Sequence, residues 1–289
     1  MSQSESAPKK GVAGSSRPMD FDALGDMMKK YEAAESERAA LDGLPVVVRL
    51  DGRTFHTYTR GMLRPFDWRM QAAMVHAASV LVDDLHPAVA YTQSDEITLI
   101  WTRAVPFGGR FQKLASVGAS VAAAAFNSWW YVNRYGGYRG QIAAFDGRAW
   151  QVPNREIALD VLAWREYDAV KNSVSMAASS VYSHRELHGK GRADQMDMLH
   201  AKGINWNDYP AHFKRGVYLQ RVTHERTLTD EERARIPEGH RPPPDATFLR
   251  SKVEVLEMEP IRRVPAALDL LLPLPATGAL PVPEGSSKP

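Results

Sequence analysis

The sequence predicts an α+β fold, a ferredoxin-like β-α-β-β-α-β sheet with helices on one face, on three observations. The apolar run Val46-Val47-Val48-Arg49-Leu50 ends in Asp51-Gly52. An amphipathic stretch follows from Asp67 to Leu85, with apolar residues at helical spacing. A second apolar run reaches Ser94-Asp95 and continues at once into the β-branched Ile97–Arg103. In a split βαβ arrangement the third strand inserts between the first two, antiparallel to both. The end of strand one and the turn between strands two and three then share one edge of the sheet. Asp51 and Asp95 would stand side by side there. Two converging carboxylates are costly unless a cation neutralises them, which is the layout of a two-metal phosphoryl-transfer site.

The elements follow in order. Residues 1–18 are rich in Ser and Lys and poor in apolar side chains, and read as a disordered tail. Asp20 is placed to cap a helix reaching Leu41, where Gly43 and Pro45 stop it. Strand one is 46–51, and the helix from Asp67 also starts on a capping Asp. Pro87 restarts the chain as strand two, about 88–93, and strand three is 97–103. Arg110 to Asn133 is a long helical run, and Ile142 to Phe145 supplies a short fourth strand. A catalytic domain over 19–150 is thus expected, then a helical and strand extension over 151–259. Within the extension a helix runs from Pro153 to about Ser180, His184–Gly191 reads as a basic loop, and 215–224 and 251–257 read as strands. Pro260 to Pro289 holds seven prolines and reads as a Pro-rich tail.

At 289 residues, with 44% hydrophobic and 24% charged residues, the chain has an ordinary globular composition. The net charge of +2 advertises no global basic field, so a nucleic-acid surface must be a local patch. Cys is absent, which excludes disulfides, thiolate catalysis and Cys-ligated zinc and fits a reducing cytoplasm. No apolar run approaches the roughly 20 residues of a membrane helix.

Asp51 and Asp95 are the sharpest catalytic candidates, although each alone reads equally as a turn residue. Gly52 lets the backbone approach a ligand and offers its carbonyl to a metal. Glu96, a third catalytic candidate, points to the face opposite Asp95 if the strand already includes it and is then a supporting group, or is a ligand if the strand begins after it. Arg49, Arg53, Arg64, Arg69, Arg110 and Lys113 are the nearest cations for phosphates, each weighed against an ordinary surface charge. Ser94 is a donor to a phosphate oxygen or a cap of its turn. Phe55 and His56 are a base-stacking pair or, respectively, core and loop. Phe145-Asp146-Gly147-Arg148 imitates the first Asp-Gly motif, but its Asp146 is expected at the opposite edge. Arg165, Asp168 and Asn172 share one helix face, either a buried polar network or an RNA-facing surface. His184, His188, His200, His212 and His224 show no metal-ligand spacing.

Together these motifs resemble the tRNA-His guanylyltransferase family, the reverse (3′-to-5′) polymerases. The matching pieces are Arg49-Leu50-Asp51-Gly52 with Phe55-His56, Arg64-Pro65-Phe66-Asp67, Tyr91–Glu96, Arg110 with Lys113, Phe145–Arg148, and Trp164-Arg165 with Asp168 and Asn172. The likeness spans roughly residues 25–225 in consistent order. It implies a palm-type polymerase domain, assembled as a homotetramer, that acts on tRNA with ATP and GTP as substrates. By the same resemblance Asp51, the Gly52 carbonyl and Asp95 bind two Mg²⁺ ions, with Glu96 beside them. Ser94, Arg110 and Lys113 help hold triphosphate, and Phe55, His56 and Asp67 lie near the nucleotide, with Arg53 and Arg64 as further contacts.

The chain departs from the eukaryotic pattern in three places. Arg64 stands where those members carry Lys, and Val170-Lys171-Asn172-Ser173 where they carry His-Ile-Asn-Asn. Gln195-Met196-Asp197 stands near their Lys-Asn-Glu motif. This pattern is similar to the bacterial, archaeal and phage branch, which implies templated repair of 5′-truncated tRNAs. The alternatives are addition of one guanosine to tRNA-His, a palm-fold nucleotide cyclase, and an inactive RNA-binding protein.

Overall fold

In the computed structural model, residues 20–133 and 140–274 are described. Asp20 caps α1 (Phe21–Ser36) by accepting from Asp22 and Ala23. The helix stops at Ser36, short of the expected Leu41. Three consecutive valines open β1 (Val46–Gly52), whose end leads into the single turn α2 (Phe55–Tyr58). Asp67 caps α3 (Trp68–Leu85), which His86 ends in the left-handed conformation before Pro87. β2 (Val89–Gln93) and β3 (Glu96–Trp101) form a hairpin closed by Ser94-Asp95. Then come α4 (Phe111–Val132), β4 (Phe145–Gln151) and α5 (Arg155–Ser179), the last capped by Asn154.

Beyond α5 lie α6 (His184–Leu187), α7 (Arg192–Ala201) and α8 (Ala211–Arg215). The segment expected as a basic loop therefore opens with a helical turn, because Ser183 and Glu186 form a reciprocal capping box. β5 (Val217–Thr227), α9 (Asp230–Ala234), β6 (Thr247–Leu256) and α10 (Ala267–Leu271) complete the described chain.

One antiparallel sheet runs in the order β4-β1-β3-β2-β5-β6. β3 lies between β1 and β2 and is antiparallel to both, as the motif spacing predicts. The extension continues the same sheet, since β5 pairs with β2 and β6 with β5. Strand alternation sorts the side chains into two cores. Val46, Val48, Leu50, Ile97 and Leu99 face α3 and α4, whereas Val47, Val89 and Ile100 face α5. Helices therefore cover both faces, where the sequence suggested one.

The first part of the segment expected as a Pro-rich tail belongs to the second core. Ile261, Ala267, Leu271 and Leu272 are buried against α5 and the sheet. The buried Glu166 carboxylate accepts from the Ile261 N–H (3.0 Å) and the Tyr218 hydroxyl (2.9 Å). Gln220 Nε2 donates to the carbonyls of Ala88 and Leu271. The bonds to Ile261 and Leu271 tie this segment, with its short helix α10, to the second core. The expected N-terminal tail and the rest of the C-terminal one lie outside the described residues. No described helix is long and apolar enough to cross a membrane.

Candidate active site

β1 runs out at Asp51-Gly52 beside the β2–β3 turn, where the Gly52 N–H donates to the Asp95 carbonyl at 3.0 Å. Only glycine fits at 52, because a Cβ there would lie 2.4 Å from the Phe55 ring. Asp51 and Asp95 share this edge. Burial, then the nearby Asp51 charge, pushes the Asp95 carboxyl above its usual range. Of the cations lining the smaller cavity, Arg49 lies 3.8 Å from Glu96 and Arg165 clasps Glu96 at 2.7 Å.

Glu96 is the first residue of β3 and faces Asp51 directly across the ladder. It is 6% exposed, and the Arg165 guanidinium donates to both its oxygens, at 2.7 and 2.9 Å. Arg165 also donates to Asp168 at 3.0 Å and packs over the Trp164 ring. Of the two readings of that helix face, the buried polar network is what the structure shows for Arg165, which is 5% exposed and not free to meet RNA. Asn172 remains exposed and donates to Asp168 at 3.4 Å.

Asp146 requires a correction. The fourth strand begins at Phe145 instead of ending there, so antiparallel pairing sets Asp146 directly beside Asp51 at the same edge. Its side chain is exposed, whereas Asp51 is half-buried.

Two cavities meet at the carboxylates. The larger, about 700 Å³, is lined by Asp51, Gly52, His56, Arg64, Ser94 and Asp95 among others. The smaller, about 350 Å³, lies under α5 and is lined by Arg49, Asp51, Asp95, Glu96, Arg165 and Asn172, with others. Asp51, Ser94, Asp95 and Asn172 border both.

The remaining predicted residues divide. His56 and Arg64 are exposed at the larger cavity. Ser94 sits at φ 48° in the turn. Phe55 is 4% exposed and packs on Tyr58, Phe126 and Phe145, so its ring serves the core and has no free face for a base. Asp67 borders the cavity, but its oxygens accept from the backbone N–H groups of Leu63 and Arg69 and from the Arg69 guanidinium. That guanidinium holds the Asp67 carboxyl below its usual range. Arg53 is exposed and joins the site edge only through its N–H, which donates to Ala144. Arg110 and Lys113 are not brought to these cavities. They stand at the start of α4, where Arg110 bridges to Ala39 and Phe111 to Arg38.

Sequence reasoning missed the apolar wall of the larger cavity. Phe66 stacks on Phe213 at 4.8 Å, with His212 edge-on to Phe66 at 5.5 Å, and Met62, Met70 and Met74 lie beneath. α8 arrives from some 120 residues beyond strand two, and nothing local in the chain marks that contact.

The donor set suits a hard divalent cation. Among the described residues no group of three or more His, Cys, Asp or Glu side chains is placed to cage a metal. Two carboxylates match an ion whose remaining positions are filled by waters and substrate phosphates.

The family model for tRNA-His guanylyltransferase matches residues 25–153, which hold β1 to β4. A bacterial tRNA(His) guanylyltransferase-like protein, solved in complex with ATP, is 37% identical with a TM-score of 0.64, over 68% of this chain and 88% of that one. The chain belongs to the tRNA-His guanylyltransferase family. A second bacterial guanylyltransferase-like structure, in complex with GTP, is 31% identical with a TM-score of 0.63, over 84% of this chain and 95% of that one. The tRNA(His) guanylyltransferase of Schizosaccharomyces pombe is 28% identical over 206 residues, 66% of this chain and 77% of the relative. Membership bears out the expected palm-type fold and the class of enzyme, a nucleotidyltransferase.

Proposed function

We propose that this guanylyltransferase-family enzyme adds nucleotides, GTP by preference, to the 5′ end of tRNA in the 3′-to-5′ direction, with Mg²⁺. Templated repair of 5′-truncated tRNA is the reaction favoured, because Arg64, the Val170-Lys171 pair with Ser173, and Gln195 depart from the eukaryotic motifs. The observation that carries the reading is the pair Asp51 and Asp95, close enough for the charge of one to raise the other, with no ion-pair partner among the described residues, where two cavities meet.

Asp51, the Gly52 carbonyl and Asp95 would hold two Mg²⁺ ions, which lower the pKa of an attacking hydroxyl and neutralise charge at the phosphorus. The larger cavity has the volume of a nucleotide site, with an apolar wall and a few polar groups at its mouth. His56, Arg64 and Ser94 orient the nucleotide there, and Asn172 bridges to the smaller cavity. The tRNA 5′-phosphate first attacks the α-phosphorus of ATP and releases pyrophosphate. The 3′-hydroxyl of the incoming GTP then attacks the activated phosphorus, losing its proton as AMP leaves. Removal of the new terminal pyrophosphate follows. Arg110 and Lys113, at the far end of α4, contact triphosphate only across a subunit boundary, which fits a homotetramer. The setting is the cytoplasm.

The test is extension of 5′-labelled, monophosphorylated tRNA with ATP, GTP and Mg²⁺, comparing truncated and full-length substrates. Addition that stops once the acceptor stem is paired supports templated repair. One guanosine on full-length tRNA-His alone would instead make this a dedicated guanylyltransferase. No extension of either substrate overturns the proposal and leaves cyclisation of free triphosphate to be assayed.

A further inference from the structure

We propose that Arg165 is a positioning residue for the carboxylate pair, acting through Glu96, which it holds as an anchor for the Ser94-Asp95 turn. This rests on the metal-dependent reading above and gives Glu96 a role other than the catalytic one its sequence position suggested.

Three observations carry it. First, Glu96 directly follows Asp95 and faces Asp51 across the ladder, so whatever fixes Glu96 fixes the peptide that carries Asp95. The Thr92 hydroxyl closes the same hairpin by donating to the Glu96 carbonyl at 2.9 Å. Second, both Glu96 oxygens are occupied by one planar guanidinium, at 2.7 and 2.9 Å. A fork-to-fork contact sets direction as well as distance. Third, Arg165 is itself fixed, by Asp168 at 3.0 Å and by Trp164, whose ring centre lies 4.4 Å from the guanidinium carbon.

The charge arrangement explains why such a clamp belongs here. Glu96 on the same ladder as Asp51 would place a third carboxylate beside the pair. Paired with Arg165 on the α5 side, it adds almost no net charge to the Asp51–Asp95 pair. Groups that orient ligands in this way typically change metal affinity or activity by about 10- to 100-fold when removed.

A double-mutant cycle tests the assignment, with Arg165→Met, Glu96→Gln and the pair combined. Each protein is read for kcat, for the KM of GTP, and for affinity of the nucleotide-free protein for Mn²⁺ by titration calorimetry. Arg165→Met is expected to lower kcat and weaken Mn²⁺ about 10- to 100-fold, with the KM of GTP little changed. The double variant is expected to be no worse than Arg165→Met alone, because the two residues act as one unit. Arg165→Lys, which keeps the charge but loses the fork, should fall between Arg165→Met and wild type. Losses that multiply in the double variant overturn the proposal, since Glu96 would then act independently of Arg165. Unchanged Mn²⁺ affinity overturns it too, leaving Arg165 a merely structural group. If Arg165→Met does not fold, the cycle runs with Arg165→Lys and Glu96→Asp under the same criteria. The Mn²⁺ arm reads positioning even if the wild-type protein transfers no nucleotide to tRNA, so the two failures are distinguishable.

Discussion

The two faces of β1 are built for opposite purposes. Toward α3 and α4 the strand presents Val46, Val48 and Leu50, all fully buried, and Gly118 lets α4 approach Leu50 closely. Toward α5 it presents Val47, Arg49 and Asp51, with Glu96 and Thr98 beside them on β3. The first face is an apolar core whose packing fixes where the strand lies. The second face turns polar toward the sheet edge and holds its charges only because partners arrive from α5. One strand can thus carry a destabilising pair of carboxylates at its end while its other side supplies the packing that keeps it in place.

That contrast can be broken in four places. The largest effect is expected from Asp51→Asn or Asp95→Asn, each lowering turnover on the order of 10³-fold, about 4 kcal/mol in the barrier. Folding should not suffer. The Asp95 carboxyl is pushed above its usual range in the native state, so its ionised form costs stability at neutral pH, and the cost fades as pH falls through that raised value. Calorimetry should therefore show Asp95→Asn melting no lower than wild type at pH 7; a clear drop in Tm would mean the pair is structural.

On the other face, Leu81→Ala in α3, where the side chain is fully buried, should cost about 2–5 kcal/mol in urea unfolding. Its kcat at low temperature should match wild type, and a selective kcat loss would show that the two faces are not independent. Gly52→Ala sits where they meet. Its Cβ would overlap the Phe55 ring, so a cost of about 1–3 kcal/mol is expected together with reduced turnover as the Asp51 turn shifts.

Asp67→Ala is the mildest. Loss of the cap and of the Arg69 pairing should cost about 0.5–2 kcal/mol at neutral pH. Because the Asp67 carboxyl lies below its usual range when folded, this stabilisation is present above the unfolded value of about 3.9 and disappears as pH falls through the depressed native value. Denaturation of both proteins between pH 7 and pH 2 should show the gap closing; a gap constant with pH would assign the cap to geometry alone.

Legibility differed from element to element. β1, α3 and the β2–β3 hairpin were readable because their signals are local: three valines before Asp-Gly, a capping Asp before an amphipathic run, and a polar turn between β-branched strands. Their meeting at one edge followed from the handedness and connectivity rules for such motifs. The start of β4 was misplaced because Phe145–Arg148 carries turn residues inside a strand, and that shift reversed the edge to which Asp146 belongs. The packing of 260–272 was hidden because its helical turns are only three and five residues long between prolines, and the bonds that Glu166 accepts from Ile261 and Gln220 donates to Leu271 come from far along the chain.

By itself the sequence determined the order of the first four strands and the helices between them, and the convergence of Asp51 and Asp95. Those depend on side-chain periodicity and chain connectivity, which are local. Only the tertiary structure decided that Glu96 is clamped by Arg165, that Phe55 is spent in the core, that Arg110 and Lys113 lie away from the cavities, and that Phe66 and Phe213 wall the larger one. Each of these sets what a side chain is free to do, and that depends on which partner reaches it first across 69 residues of chain for Glu96 and Arg165, a distance over which sequence spacing carries no information.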